Sequence, residues 1–221
     1  MYIDVYEPID NETEKKICEI LGKNQLNDGI EKYIAIQTAV NETGKIDEIK
    51  DGYTKFYKMT KRSYDDDFIC KYFSIMKDIR KHHGSEYELS QNEETLKEKF
   101  TYVLGQLHEV GSKYKDGERN KRYEMSFTSK LLHTVDPSLP IWDSEVATNH
   151  FKFRLPSKKQ KDKAEDVLSL YYEKYCAYRT EFEKYMNGEG QILIKLFNKK
   201  YGEYKDISNA KKIDFILWQD R

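Results

Sequence analysis

Ser126-Phe-Thr-Ser-Lys130-Leu-Leu-His-Thr-Val135-Asp-Pro-Ser-Leu-Pro140-Ile-Trp-Asp143-Ser-Glu-Val146 is the stretch whose reading decides the fold. Its first half is an apolar helical pattern carrying Lys130 and His133. Pro137 and Pro140 close a turn over 136–141, because proline removes a backbone donor and clashes with a preceding helical carbonyl. A second helical pattern begins at Asp143 and runs through Val146, Ala147 and His150. Two helices joined by a short turn predict an all-α chain in which helix packs on helix.

The rest of the chain agrees with that reading. Its four prolines stand at 8, 137, 140 and 156, so helices elsewhere meet little interruption. Helical spacing is expected from Glu12 to Gly22, then around Ile30, Tyr33, Ile34 and Val40, then around Ile46, Ile49, Tyr53, Phe56 and Tyr57. Asp65, Asp66 and Asp67 precede Phe68, Tyr72, Met76 and Ile79; acids in a first turn complement the positive helix end. Asn92-Glu-Glu is an N-cap signal ahead of the stripe Leu96, Phe100, Val103, Leu104 and Leu107, which Gly111 ends. Residues 112–122 read as a loop. Ser157 is expected to cap the longest helix, 158–186, whose stripe is Leu168, Tyr171, Tyr175, Tyr178, Phe182 and Tyr185. Helices near 191–201 and 208–219 finish the chain, and residues 2–6 alternate as a short strand would. The expectation is a single α-helical domain over 1–221, of nine or ten helices, with helical layers at 1–90 and 91–221.

Composition narrows the function classes. The 221 residues carry 38 basic and 39 acidic side chains, whereas a dedicated nucleic-acid binder usually has a basic excess; any basic surface must be local. The 18 tyrosines and 10 phenylalanines supply the core area that a chain with 38% hydrophobic residues otherwise lacks. Cys18, Cys70 and Cys176 are odd in number and widely spaced, as expected in a reducing cytoplasm, and form no C-x-x-C pair. No apolar run approaches a membrane span. Gly-rich nucleotide loops and the G-x-S-x-G elbow are missing, and His108-Glu109 lacks the second histidine of a zinc protease helix. His82 and His83 are adjacent and cannot share a helix face; they and His150 read as helix C-terminal residues. No metal and no cofactor are expected.

The central stretch holds the candidate chemistry. Asp143 stands at an N-cap, where backbone N–H groups favour the ionised carboxylate; it is either a cap alone or an oriented carboxylate that stabilises a cation. Lys130 is either a lysine in a structural pair or a partly buried amine with a lowered pKa, able to attack carbon. His133 follows Lys130 by three residues and shares its face; it reads first as a core histidine and Trp142 as the anchor of the turn, and otherwise the two fill one pocket mouth as substrate-binding residues. Lys113, Lys115, Arg119, Lys121 and Arg122 precede the Lys130 helix, while Lys152, Arg154, Lys158, Lys159, Lys161 and Lys163 follow the Asp143 helix. They read either as solvated loops or as phosphate contacts.

Lysine on a helix, a proline turn and an aspartate opening the next helix resemble the helix-hairpin-helix DNA glycosylases, the 8-oxoguanine type above all. Ile141-Trp-Asp-Ser-Glu-Val146 is similar to that family's helix entry, over about 25 residues in all. The resemblance implies a two-layered helical fold, damaged duplex DNA as partner, Lys130 as the nucleophile that forms a Schiff base, and Asp143 as the assisting carboxylate. Met125-Ser-Phe-Thr-Ser129 stands where the family has a glycine-rich hairpin. The alternative is a non-catalytic helical module for nucleic acid or protein on a glycosylase-like scaffold.

Overall fold

The computed structural model describes residues 2–41, 45–59, 64–82, 88–113, 119–156 and 163–220, without the side chains of 82, 88, 112, 113 and 120. Among the described residues the fold is all-helical, apart from one two-residue ladder pairing Ser112–Lys113 with Arg119–Asn120 inside the expected loop. The helices are α1 (Asn11–Leu21), α2 (Asn24–Asn41), α3 (Lys50–Phe56), α4 (Asp66–His82), α5 (Glu88–Gln91), α6 (Glu93–Val110), α7 (Met125–Val135), α8 (Ala164–Asn187), α9 (Gly190–Lys200) and α10 (Asn209–Gln219). They fall into two compact units. Residues 29–136 form one, and residues 1–28 with 137–221 form the other. The divisions between the units fall at 28/29 and 136/137.

In the continuous unit, α4 packs on α6 and α7, α6 packs on α7, and α5 on α6. The α6 stripe explains this. Leu96, Phe100, Val103, Leu104 and Leu107 are fully enclosed, and the Asn92 side chain accepts the Thr95 N–H at 2.9 Å. Gly111 ends α6 at φ 68°, a left-handed conformation that glycine adopts without steric cost, and its N–H caps Leu107 O at 3.0 Å. Asp65 opens α4 by accepting the Phe68 N–H at 3.0 Å, so the aspartate run is a helix start.

In the discontinuous unit, α10 is the hub. It packs on α1, α8, α9 and residues 146–150. Tyr171, Tyr175, Tyr178, Phe182 and Tyr185 of α8 are buried as their spacing predicts, whereas Leu168 is only half-buried and Val167 takes the inward place. The helix begins at Ala164 behind Lys163, not at 158, and Ser157 lies outside the described residues. Residues 2–6 are not a strand. Their polar backbone is satisfied by side chains instead: Ile3 N–H donates to buried Asp220, and Ile3 O faces His150 Nδ1 at 2.7 Å. The Tyr6 hydroxyl donates to Phe151 O at 2.9 Å. His150 is therefore enclosed, with Nε2 3.1 Å from Leu217 O, rather than a surface cation at a helix end.

Candidate functional site

The Lys130 site is built on α7. A buried hydroxyl cluster fixes that helix from behind. Thr134 Oγ1 donates to Lys130 O at 2.7 Å, and the Tyr72 hydroxyl donates to Phe127 O at 3.1 Å. The Tyr53 hydroxyl lies 2.8 Å from that of Tyr72 and 3.1 Å from Thr134 Oγ1, and its one proton serves one of them. Burial pushes both tyrosines above their ordinary pKa, so all these hydroxyls keep their protons.

On the outer side Lys130 is half-buried. Its Nζ donates to Ser126 Oγ at 3.0 Å, and lies 5.2 Å from the Phe127 ring centre and 5.7 Å from that of Tyr57. Six residues earlier stands Glu124, the residue that opens α7. Its side chain makes no capping hydrogen bond. Instead Oε2 accepts from the Tyr64 hydroxyl at 3.2 Å, and Oε1 lies 3.4 Å from Arg122 Nη2 without hydrogen-bond geometry. Burial raises the Glu124 carboxyl above the usual carboxylate range, against the opposing pull of Arg122, Tyr64 and Lys130. Glu124 and Tyr64 were not legible as site residues. Glu124 occupies an ordinary cap position, and Tyr64 is 60 residues away in sequence.

His133 is 1% exposed, and its Nε2 meets the Tyr33 hydroxyl at 3.1 Å. Although it follows Lys130 by three residues, it points into the core of the 29–136 unit. Asp136, which caps the end of α7, is also enclosed and accepts the Ser90 N–H at 2.7 Å.

Asp143 belongs to the other unit, so its neighbours are described separately. The chain before it is pinned to α8: Tyr175 donates to Pro140 O at 2.9 Å and Tyr178 to Ile141 O at 3.0 Å. Trp142, 1% exposed, packs 5.0 Å from the Tyr178 ring and 6.2 Å from Phe153. Asp143 is half-buried. Its Oδ1 accepts the Glu145 N–H at 3.0 Å and its carbonyl accepts from Ala147, as at a helix start. The helix then widens into a π-turn over Val146–His150, a form often found beside functional sites. Burial encloses both His133 and Trp142, which fits the core-histidine and turn-anchor readings rather than an open pocket mouth.

Of the basic residues before α7, the three whose side chains are described are engaged. Arg119 bridges Asp65 at 3.2 Å and Asp67 at 2.5 Å, and donates to Val110 O at 3.0 Å. Lys121 pairs with Glu109 at 2.9 Å, and Arg122 with Glu124. After the Asp143 helix, Lys152 adopts φ 59° and donates to Asn149 O at 2.7 Å, and Arg154 is exposed. Lys158, Lys159 and Lys161 lie outside the described residues, as do Lys115 and His83. Among the described residues, no group of three or more His, Cys, Asp and Glu is placed to hold a metal, and no helix is long and apolar enough to cross a membrane. No protein-family model, curated protein or solved structure matches the chain.

Proposed function

We propose that this chain is a base-excision glycosylase or lyase acting on damaged duplex DNA, with the Lys130 amine as nucleophile. The observation that carries the reading is the seating of that amine. It is half-buried, held by one hydroxyl and two aromatic faces, on a helix fixed from behind by buried hydrogen bonds. A nucleophile in a fixed position gains rate from orientation alone. Asp143, in the other unit, is a half-buried carboxylate at a helix start, the type of group that can stabilise a sugar cation. The target base leaves the stack to reach such a site.

Borohydride trapping on duplexes bearing oxidised, alkylated and abasic lesions tests it, because reduction fixes an amine–sugar Schiff base. The expected result is a covalent adduct with the wild-type chain and none with Lys130→Gln at an unchanged circular dichroism spectrum. An adduct that persists in Lys130→Gln, or no adduct on any duplex, sinks the proposal.

The second reading is a non-catalytic helical interaction module. One observation favours it: Arg119, Lys121 and Arg122 are each paired with carboxylates, which withdraws their charge from a phosphate backbone.

A further inference from the structure

The contact that seats the Lys130 amine also joins a hydroxyl to a base. Ser126 and Lys130 stand one helical turn apart on α7, so their side chains meet on one face, and Nζ lies 3.0 Å from Oγ. The serine oxygen accepts from the lysine, and its own proton goes to no other described residue. Both residues are half-buried, and the rings of Phe127 and Tyr57 flank the amine. Ser129 Oγ donates to Ser126 O at 3.0 Å and steadies the turn that carries the pair. The backbone around Ser126 supplies a third element. The hydrogen-bond ladder of α7 starts with the Thr128 N–H on Glu124 O at 2.9 Å, and the Glu124 side chain caps nothing. Among the described residues, the N–H groups of Ser126 and Phe127 therefore have no acceptor.

We propose a further activity for this chain: Ser126 and Lys130 form a serine–lysine pair that hydrolyses carboxylic esters with a small apolar acyl group. A hydroxyl nucleophile within hydrogen-bond reach of an oriented base is the arrangement such chemistry needs, and lysine serves as that base on unrelated folds. The free-base form of Lys130 starts the cycle. It takes the Ser126 hydroxyl proton as the serine oxygen bonds to the ester carbonyl carbon, whose π electrons move to the carbonyl oxygen. The Ser126 and Phe127 N–H groups are the donors that stabilise this oxyanion. As the oxyanion collapses, the bond to the leaving alcohol breaks, and the alcohol oxygen takes the proton from the Lys130 ammonium. Water then gives one proton to Lys130 while its oxygen bonds to the acyl carbon, and the serine oxygen leaves and recovers that proton. Ester and water become acid and alcohol, and both side chains return to their starting forms. The flanking rings offer an apolar wall to the acyl group.

The test is reaction of the full chain with p-nitrophenyl acetate, read as p-nitrophenol release and as the acetylated peptide in mass spectrometry. The acetyl group is expected on Ser126, as an ester that hydroxylamine removes, with steady turnover. Ser126→Ala is expected to lose both the ester and the turnover at an unchanged circular dichroism spectrum. Lys130→Arg keeps a charged donor beside the serine but cannot accept its proton, and is expected to lower the rate about 10²–10⁴-fold. A lysine that only props the helix would let arginine take its place, so a wild-type rate in Lys130→Arg overturns the proposal. Turnover that survives Ser126→Ala overturns it too. An acetyl group found on Lys130 instead, as an amide that hydroxylamine leaves intact, shows the amine itself attacking and ends the serine's role. No acetyl group on either residue ends the proposal as well. None of these readouts involves DNA, so they are decided separately from the borohydride trapping.

Discussion

Two glycines separate what a single methyl group can do. Gly190 begins α9 where a Cβ would stand 2.8 Å from Tyr185 O and 3.0 Å from Ile213 Cδ1. The first of these is backbone and cannot give way. Gly52 lies in α3 with nothing within 4 Å of the same added atom. Alanine at 52 is expected to stabilise by about 0.5–1 kcal/mol, the ordinary gain from filling a helical glycine. Alanine at 190 is expected to cost about 1–3 kcal/mol, as over-packing does. Urea denaturation of the two variants checks the opposite signs. His150 is a second residue-scale case. Burial holds its pKa below the ordinary histidine value, outweighing the two carbonyls and the charge of Asp220, which pull upward; Lys152 adds to the downward push. The unfolded chain therefore takes up the proton first. The stability this residue contributes is present above about pH 6.5 and is lost as pH falls through that value towards the folded pKa. Urea midpoints at pH 7.5 and 5.5 should fall further for the wild type than for His150→Gln; equal losses would show that other groups carry the pH dependence. Spacing identified His133 and Lys130 as neighbours on one helix face. It did not show that the boundary of the buried face runs between them, because that boundary is set by Tyr33, a hundred residues away in sequence.

Elements were the most legible level, wherever the signal was local. Asn92, the α6 stripe and Gly111 act as their chemistry predicts, since a cap, an apolar period and a left-handed stop each depend on a few neighbouring residues. Asn92→Ala is expected to lower stability by about 1 kcal/mol, read as a shifted urea midpoint with an unchanged slope; a neutral effect would mean that the Thr95 N–H finds water instead. Elements whose signals were non-local misled. Residues 2–6 alternate in polarity, and Ile3 and Val5 are indeed buried, but their backbone partners are Asp220 and His150 rather than a second strand. Alternation reports one buried face and says nothing of what supplies the hydrogen bonds. Asp143 was legible as a helix start for the opposite reason: its partner, the Glu145 N–H, is two residues away.

At the scale of the whole molecule, composition and periodicity gave no sign of where the compact units divide. The boundary at 28/29 falls inside α2, a continuous helix, and the one at 136/137 falls inside the quoted stretch itself. Neither place carries the glycine- or serine-rich composition of a linker. The same division separates the two candidate residues, Lys130 in one unit and Asp143 in the other. Local chemistry could mark each of them but could not say that each is held by its own set of neighbours.

One unit is drawn from both ends of the chain, and this bears on its birth at the ribosome. Residues 29–136 are consecutive in the chain, so the helices of this unit are all made once α7 is out. The buried face of α1, with Ile17, Ile20 and Leu21, waits for α9 and α10, the helices it packs against. At ordinary translation speeds that wait is on the order of ten to forty seconds. For that interval the apolar side of this amphipathic helix is without α9 and α10. The α1 face is thus made well before the helices that bury it, and it is a segment that gains from a chaperone's cover.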